Sequence, residues 1–348
     1  VINGAMQVAQ RGTSHATATS YTLDRWNISQ TTDGAVTITQ DSSVPSGSGL
    51  ANSYKLDVTT ADTSIGAAQR VFPHQIIEAQ NLQHLQYGTS EAKSITLSFY
   101  VKSNLTGTYT VLFYNSDASR HQSATYTIDS ANTWEQKKIT IQGDTASGFN
   151  DDNGAGLEIS WWLAAGSNFT SGTLGTGSWQ NETAANKVSS SNVNIMSSTS
   201  NEWFLTGCQL EVGTEATPFE HRPFGDELAR CQRYYTRYFE TGGSGSNAYL
   251  RYGYGTCENT TRAEIPINSH TVMRADPTLE TTGTASNYAL WQRGSVIALT
   301  NLTIEGGGHM NGQLFTLTAT ASGLNAGDCV GLMNNNSTTA YLAFDAEL

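Results

Sequence analysis

The sequence is short of charge. Of 348 residues, 14% are Asp, Glu, Lys or Arg, and only 18 are Lys or Arg, with no basic run among them. Phosphate backbones are held by clustered positive charge, so nucleic acid is not expected as a partner. The formal charge of −12 reads as a solubility feature rather than a binding signal. Long apolar runs are missing too. None approaches the roughly 20 residues that a membrane-crossing helix needs, so no membrane insertion is expected. Cysteine is scarce and scattered: Cys208, Cys231, Cys257 and Cys329 form no CxxC pair and no His-associated spacing, which argues against zinc. Cys208 and Cys231 read as small buried apolar residues, and free thiols suit assembly in a reducing cytoplasm. No segment resembles a signal peptide, and the chain begins at Val1 rather than Met. That reads as a fragment or a processed chain, with an attachment region expected beyond it.

Catalytic signatures are also thin. The GGSGS run at 242–246 lacks the last Gly and the strand-to-helix setting of a nucleophile elbow, and the seven His are scattered. No repeat of fixed period stands out, which disfavours a solenoid or β-helix.

Thr, Ser, Asn and Gly abound, and short apolar alternations recur between polar turns. Ile95, Leu97, Phe99 and Val101 form the cleanest period-2 run. Others are Val36/Ile38, Tyr54/Leu56/Val58, Tyr109/Val111/Phe113, Ile139/Ile141, Leu157/Ile159/Trp161/Leu163 and Trp203/Leu205 with Leu210/Val212. Residues 1–12 read as a short strand with a turn at Asn3-Gly4, and residues 76–86 as a short helix or a crossing loop. Eight or so strands of this kind predict a sandwich of antiparallel sheets. Residues 167–200 form a long Gly/Ser/Thr/Asn-rich stretch, and a loop of that length is usually functional or packed on a neighbour. After a Gly/Ser hinge at 242–246, seven or eight further runs predict a second, smaller sandwich.

Between them, residues 209–238 carry the one convincing helix signal. Gly225 or Asp226 can cap it, Asp226 and Glu227 put negative charge in the first turn, and Arg233 and Arg237 put positive charge in the last. Leu228, Cys231, Tyr235 and Tyr238 are spaced as one helical stripe, expected to set the register of subunits in an oligomer. The fold expected is mainly β: an N-terminal β-sandwich over 1–222, a connecting helix over 223–240 and a smaller C-terminal β-sandwich over 241–348.

Several stretches resemble tail-fibre-like proteins of tailed bacteriophages. They are INGAMQVAQRGTS near the start, YTLDRW at 21–26, FNDDNGAG at 149–156, CQLEVGTEATPF at 208–219 and GDELARCQRYY at 225–235. The C-terminal MRADPT at 273–278 and the final DAEL are similar to that group as well. The resemblance spans almost the whole chain and rests most on GDELARCQRYY. It implies a carbohydrate-binding-type jelly roll, then a helix, then a variable β tip, assembled as a homotrimer with other phage tail proteins in a virion. It implies no catalytic site.

Within that frame a host cell-surface glycan is the expected ligand, which calls for aromatic faces beside hydroxyl-binding groups. Trp161 shares its face with Ile159 and Leu163, so Trp162 points outward, to hold a sugar or to be covered by the loop around Trp179 or by another subunit. Trp162 and Trp179 are therefore candidate ligand residues, as are Tyr249, Tyr252, Tyr254, Trp291 and His309 in the tip. Residues 306–309 read as an exposed hairpin tip. Asp151 and Asp152, with Glu158 nearby, have the residue types of a glycosidase acid pair, although a solvated turn is the plainer reading. The same 150–154 turn carries oxygens suited to a structural Ca²⁺ without EF-hand spacing; no other cofactor is expected. The expected function is a non-enzymatic receptor-binding protein of a phage tail. The alternatives are a glycan-degrading tail depolymerase and a structural virion protein without a ligand.

Overall fold

The structure is a computed structural model that describes residues 1–16, 20–238, 249–305, 313–337 and 339–348. The fold is mainly β and divides into two compact units, Val1–Glu227 with Leu348, and Leu228–Glu347. The first unit holds β1 (Ser14–Ala16), β2 (Ser20–Tyr21), β3 (Asn27–Gln30), β4 (Ala35–Asp41), β5 (Ser53–Thr60), β6 (Arg70–Glu78) and β7 (Ile95–Ser103). It continues with β8 (Gly107–Asn115), β9 (Arg120–Ile128), β10 (Glu135–Ile141), β11 (Ala155–Trp162), β12 (Ala164–Ala165), the four-residue helix α1 (Ser167–Thr170), β13 (Gln180–Asn181) and β14 (Glu202–Val212).

These strands make a sandwich. One sheet has the order β1-β4-β5-β14-β7-β10, the other β13-β9-β8-β11-β6-β3-β2, with β12 paired to β6. Their inward faces meet in an aromatic core. Trp161 lies 5.4 Å from Trp26 and 5.8 Å from Phe99, ring centre to ring centre, and Tyr54 lies 6.4 Å from Trp203. Tilted and edge-on pairs of this kind add about 0.5–1.5 kcal/mol each beyond the area they bury. Leu157, Ile159 and Trp161 of β11 are fully buried in that core. Strand alternation therefore puts Glu158, Ser160 and Trp162 on the outer face of the second sheet.

Residues 1–12 are not a strand. The buried Asn3, at φ 55°, holds the Val8 N–H with its side-chain oxygen and donates to the Val8 and Asp24 carbonyls. A side chain that supplies these partners lets the segment stay irregular and buried. Residues 76–86 resolve into the end of β6 and a 3₁₀ turn over Ala79–Leu85. Trp203/Leu205 and Leu210/Val212 belong to one strand, β14, broken only by a register shift between Thr206 and Gln209, with Gly207 at φ 61°.

The helix is shorter than its stripe. α2 spans Phe224–Gln232 with Asp226 and Glu227 in its first turn and Arg230 in its last; Arg233 and Arg237 lie beyond it. The Tyr234 N–H then closes a turn on the Cys231 carbonyl at 2.9 Å, and β15 (Tyr235–Tyr238) follows. Leu228 and Cys231 are thus helical, whereas Tyr235 and Tyr238 are not. Aromatic and β-branched residues favour a pleated surface, and a ladder from Tyr235↔Asp345 to Tyr238↔Leu342 secures them there. Tyr235 is buried within its own unit, with its hydroxyl 3.2 Å from Glu280.

The second unit continues with β16 (Arg251–Cys257), β17 (Arg262–Asn268), β18 (Thr278–Thr281), β19 (Tyr288–Gln292) and β20 (Ser295–Ala298). It ends with β21 (Asn301–Ile304), β22 (Leu314–Thr320), β23 (Cys329–Asn334) and β24 (Leu342–Asp345). A three-stranded sheet, β15-β24-β18, and a seven-stranded one, β20-β19-β23-β16-β17-β22-β21, share one core, where Phe344 of the first meets Phe315 of the second at 5.2 Å. The expected Gly/Ser hinge at 242–246 lies outside the described residues.

Candidate functional site

The outer face of the eight-stranded sheet carries a cleft of about 260 Å³. Register assembles it. Glu158 on β11 stands opposite Tyr114 on β8 and Ile76 on β6, and Ser160 stands opposite Leu112 and His74. Phe72, two residues before His74, shares the face and packs on Trp162 at 4.4 Å. Trp162 is 2% exposed and donates its Nε1–H to Ser160 Oγ at 3.2 Å, so it forms floor rather than platform.

The long loop supplies the wall. It leaves β12 through Gly166, where a Cβ would fall 2.0 Å from the Gly66 carbonyl oxygen, so only glycine passes. α1 then lays Phe169 over Trp162 at 5.2 Å. The returning strand of the loop is tied down where Val188 N–H donates to the Phe169 carbonyl and Ser123 Oγ to the Lys187 carbonyl, at 3.0 and 2.7 Å. Arg120 on β9 makes two bonds to Asp144, at 2.6 and 3.2 Å, and also donates to the Trp179 carbonyl. The outward Trp162 is thus covered by this chain's own loop.

Two cations and two carboxylates line the opening. Arg70 lies 5.6 Å from the Phe169 ring centre and 5.9 Å from that of Phe72, with its Nε donating to Ser29. Lys187 sits over Tyr114 at 5.0 Å and is paired with Glu182, which accepts the Tyr114 hydroxyl at 2.7 Å. Burial pushes the Glu158 carboxyl up from 4.5 to about 7, with Lys187 and Arg70 pulling the other way. Burial also acts on Glu182, but its bonds from Lys187 and Tyr114 outweigh it and hold the carboxyl below the usual range. Burial keeps His74 neutral by lowering it to about 4, and lowers His121 as well. The cleft thus joins aromatic faces, a carboxyl that burial makes hold its proton more tightly and a guanidinium with N–H donors directed at no carboxylate among the described residues.

The other candidates are dispersed. Trp179 belongs to the core: it packs edge-on against Tyr87 at 5.7 Å, and its Nε1–H donates to the Gln142 carbonyl at 2.7 Å. Tyr252 is turned inward, with its hydroxyl held by Asn334 and the Ala340 carbonyl. Tyr249, Tyr254 and Trp291 are exposed, and the structure brings Tyr254 and Trp291 together through Arg251. His309 and residues 306–308 lie outside the described residues. Asp151 and Asp152 sit exposed in a turn, where Asp152 accepts the Gly154 N–H at 2.8 Å, and they do not line the cleft that holds Glu158. Among the described residues no group of three or more His, Cys, Asp or Glu is placed to hold a metal. Sequence reasoning missed Arg70, Phe72, Tyr114, Phe169, Glu182 and Lys187. The alternation Glu158-x-Ser160-x-Trp162 was the one signal pointing to this face.

Fold and site define a two-unit β-sandwich protein with a polar–aromatic cleft. No protein-family model matches the chain, and no curated protein matches it. Solved structures similar to it include the enzymatically active domain of tailspike protein 4 from bacteriophage CBA120, at 16% identity and a TM-score of 0.31, covering 54% of this chain and 19% of that one. A family 4 carbohydrate-binding module is similar at 14% identity and a TM-score of 0.31, covering 60% of this chain and 97% of that one. A protein of Bacteroides thetaiotaomicron with a proposed sugar-binding role is similar at 12% identity and a TM-score of 0.31, covering 61% of this chain and 98% of that one. None of the three TM-scores reaches 0.5.

Proposed function

We propose that this chain is a glycan-binding adhesin of a phage tail, and that the cleft of the first unit is a binding site. The observation that carries the reading is the composition of the cleft. A sugar presents C–H faces and hydroxyls together, and here half-buried Tyr114 and Phe169 stand beside Glu158 and the uncommitted N–H groups of Arg70. The wall is tied by hydrogen bonds, so little ordering is needed when a ligand enters. A small cleft implies weak single-site binding, and three copies on one fibre would convert it to avidity. The homotrimer and the virion location follow from the sequence resemblance to tail-fibre-like proteins. A glycan array followed by calorimetry tests the site. Arg70→Ala and Glu158→Ala should each weaken the hit by about tenfold, the scale of losing one charge-assisted hydrogen bond. Undiminished binding by both variants would exclude the cleft, and a monomeric mass in solution would exclude the trimer.

One observation favours a second reading. Glu158 is held high and Glu182 low in the same cleft, and acid–base pairs of glycosidases are separated in this way. Incubation with host polysaccharide distinguishes the two: reducing ends that accumulate with the protein and not with Glu158→Gln would establish a hydrolase.

A further inference from the structure

The seven-stranded sheet of the second unit presents a row of residues that its own core does not use. Trp291 on β19 pairs with Val296 on β20 and with Gly331 on β23, and Gly331 pairs with Tyr254 on β16. Tyr254, Trp291 and Val296 thus project from one face, at 59%, 38% and 48% exposure. The gap between the two rings is made by Gly331. A Cβ there would lie 3.1 Å from Cε1 of Tyr254, so the absence of a side chain is what lets that ring lie down across the middle strand. The Cα positions of Tyr254 and Trp291 are two strand spacings apart, about 10 Å, a length that two or three linked pyranose rings cover.

Charge decides what suits this row. A bulge between Arg251 and Gly253 brings Arg251 onto the same face as Tyr254, although the two are three residues apart. Its guanidinium lies 5.0 Å from the Trp291 ring centre and donates to the Tyr254 hydroxyl at 3.4 Å. No carboxylate among the described residues pairs with it. A planar fork with spare donors, held between two exposed rings on a protein of charge −12, complements a carboxylate on an otherwise apolar-faced ligand. We infer that Tyr254, Arg251 and Trp291 form a second saccharide site, for an oligosaccharide bearing uronic- or sialic-type carboxylates. The inference rests on the reading of the chain as a glycan binder, but not on the cleft of the first unit.

An array of acidic oligosaccharides and their neutral counterparts, probed with the full chain and with Trp291→Ala, Tyr254→Ala, Arg251→Gln and Arg70→Ala, tests it. The altered side chains of the second unit are exposed, and unchanged circular dichroism confirms that their variants fold. Acidic members should bind, lose about tenfold in affinity with Trp291→Ala or Tyr254→Ala, and lose their preference over neutral members with Arg251→Gln, each loss being of the same size in an Arg70→Ala background. If acidic members bind equally to all three second-unit variants, or bind no better than neutral ones, the site is refuted, and the cleft stands where Arg70→Ala weakens the binding that remains. If no glycan binds any form, the underlying reading fails as well. A fall in oligomeric mass with Trp291→Ala, without a change in binding, would make this face a contact between copies and overturn the proposal.

Discussion

Replacing Glu158 by Gln keeps the side chain's size and removes its titration. In the folded chain this carboxyl titrates near 7, against an ordinary 4.5, because it is buried beside Trp162 and Phe72. As pH rises, the unfolded chain therefore gives up this proton first. Between the two values the folded state binds more protons than the unfolded one, so stability is full below about 4.5 and declines until pH passes about 7. Each unit is worth about 1.4 kcal/mol, giving a ceiling of about 3 kcal/mol. Water reaching a half-buried carboxylate reduces this to about 2 kcal/mol. Glu158→Gln should match the wild type near pH 4 and exceed its stability by that amount near pH 8.5, where Gln carries no buried charge. Urea unfolding followed by tryptophan fluorescence reads this unit almost alone, since six of the seven Trp precede residue 228. A stability difference that does not change with pH, or a wild type that is the more stable at high pH, would refute the reasoning.

Arg120→Ala leaves Asp144, 2% exposed, without its bidentate partner, and should cost about 3–5 kcal/mol in the same assay. Gly166→Ala places a methyl against the Gly66 carbonyl. It should cost about 1–3 kcal/mol and make the loop over the cleft more susceptible to proteolysis, measured by limited digestion. Cys329 is the one exposed thiol, and burial raises those of Cys208 and Cys257; one thiol per folded chain should react with a disulfide reagent, and four after unfolding.

Much of the architecture was legible because burial writes alternation into strands. Leu157, Ile159 and Trp161 announced an inward face, and the same count placed Trp162 outside. What covers Trp162 was not legible. Phe169 reaches it through a glycine-dependent turn and carbonyl bonds from the returning loop, none of which leaves a periodic trace. Tyr235 and Tyr238 misled for a related reason: their spacing fits a helix, but the partner that makes them a strand, residues 342–345, lies about a hundred positions away. Arg70 and Lys187 joined the cleft from opposite sides of the sequence, and only the sheet order brings them together. Asp151 and Asp152 are neighbours of Glu158 in the chain and not on the sheet, and the second carboxylate of the cleft, Glu182, comes from the long loop instead.

The two-residue strand β13 has a consequence beyond the cleft. It pairs Gln180 and Asn181 with His121 and Arg120, and Ser123 N–H is taken by the Gly175 carbonyl at 2.6 Å. β9 is nine residues long and would otherwise end the sheet with a row of open donors and acceptors, on which a neighbouring chain adds as a further strand. The loop covers Arg120, His121 and Ser123 of that edge from within the same chain. Over these residues the edge of β9 is thereby closed to a strand from another chain, and its polar backbone groups are satisfied within the fold. Deleting residues 172–187 should open β9 to pairing between copies, read by light scattering as a mass that rises with concentration.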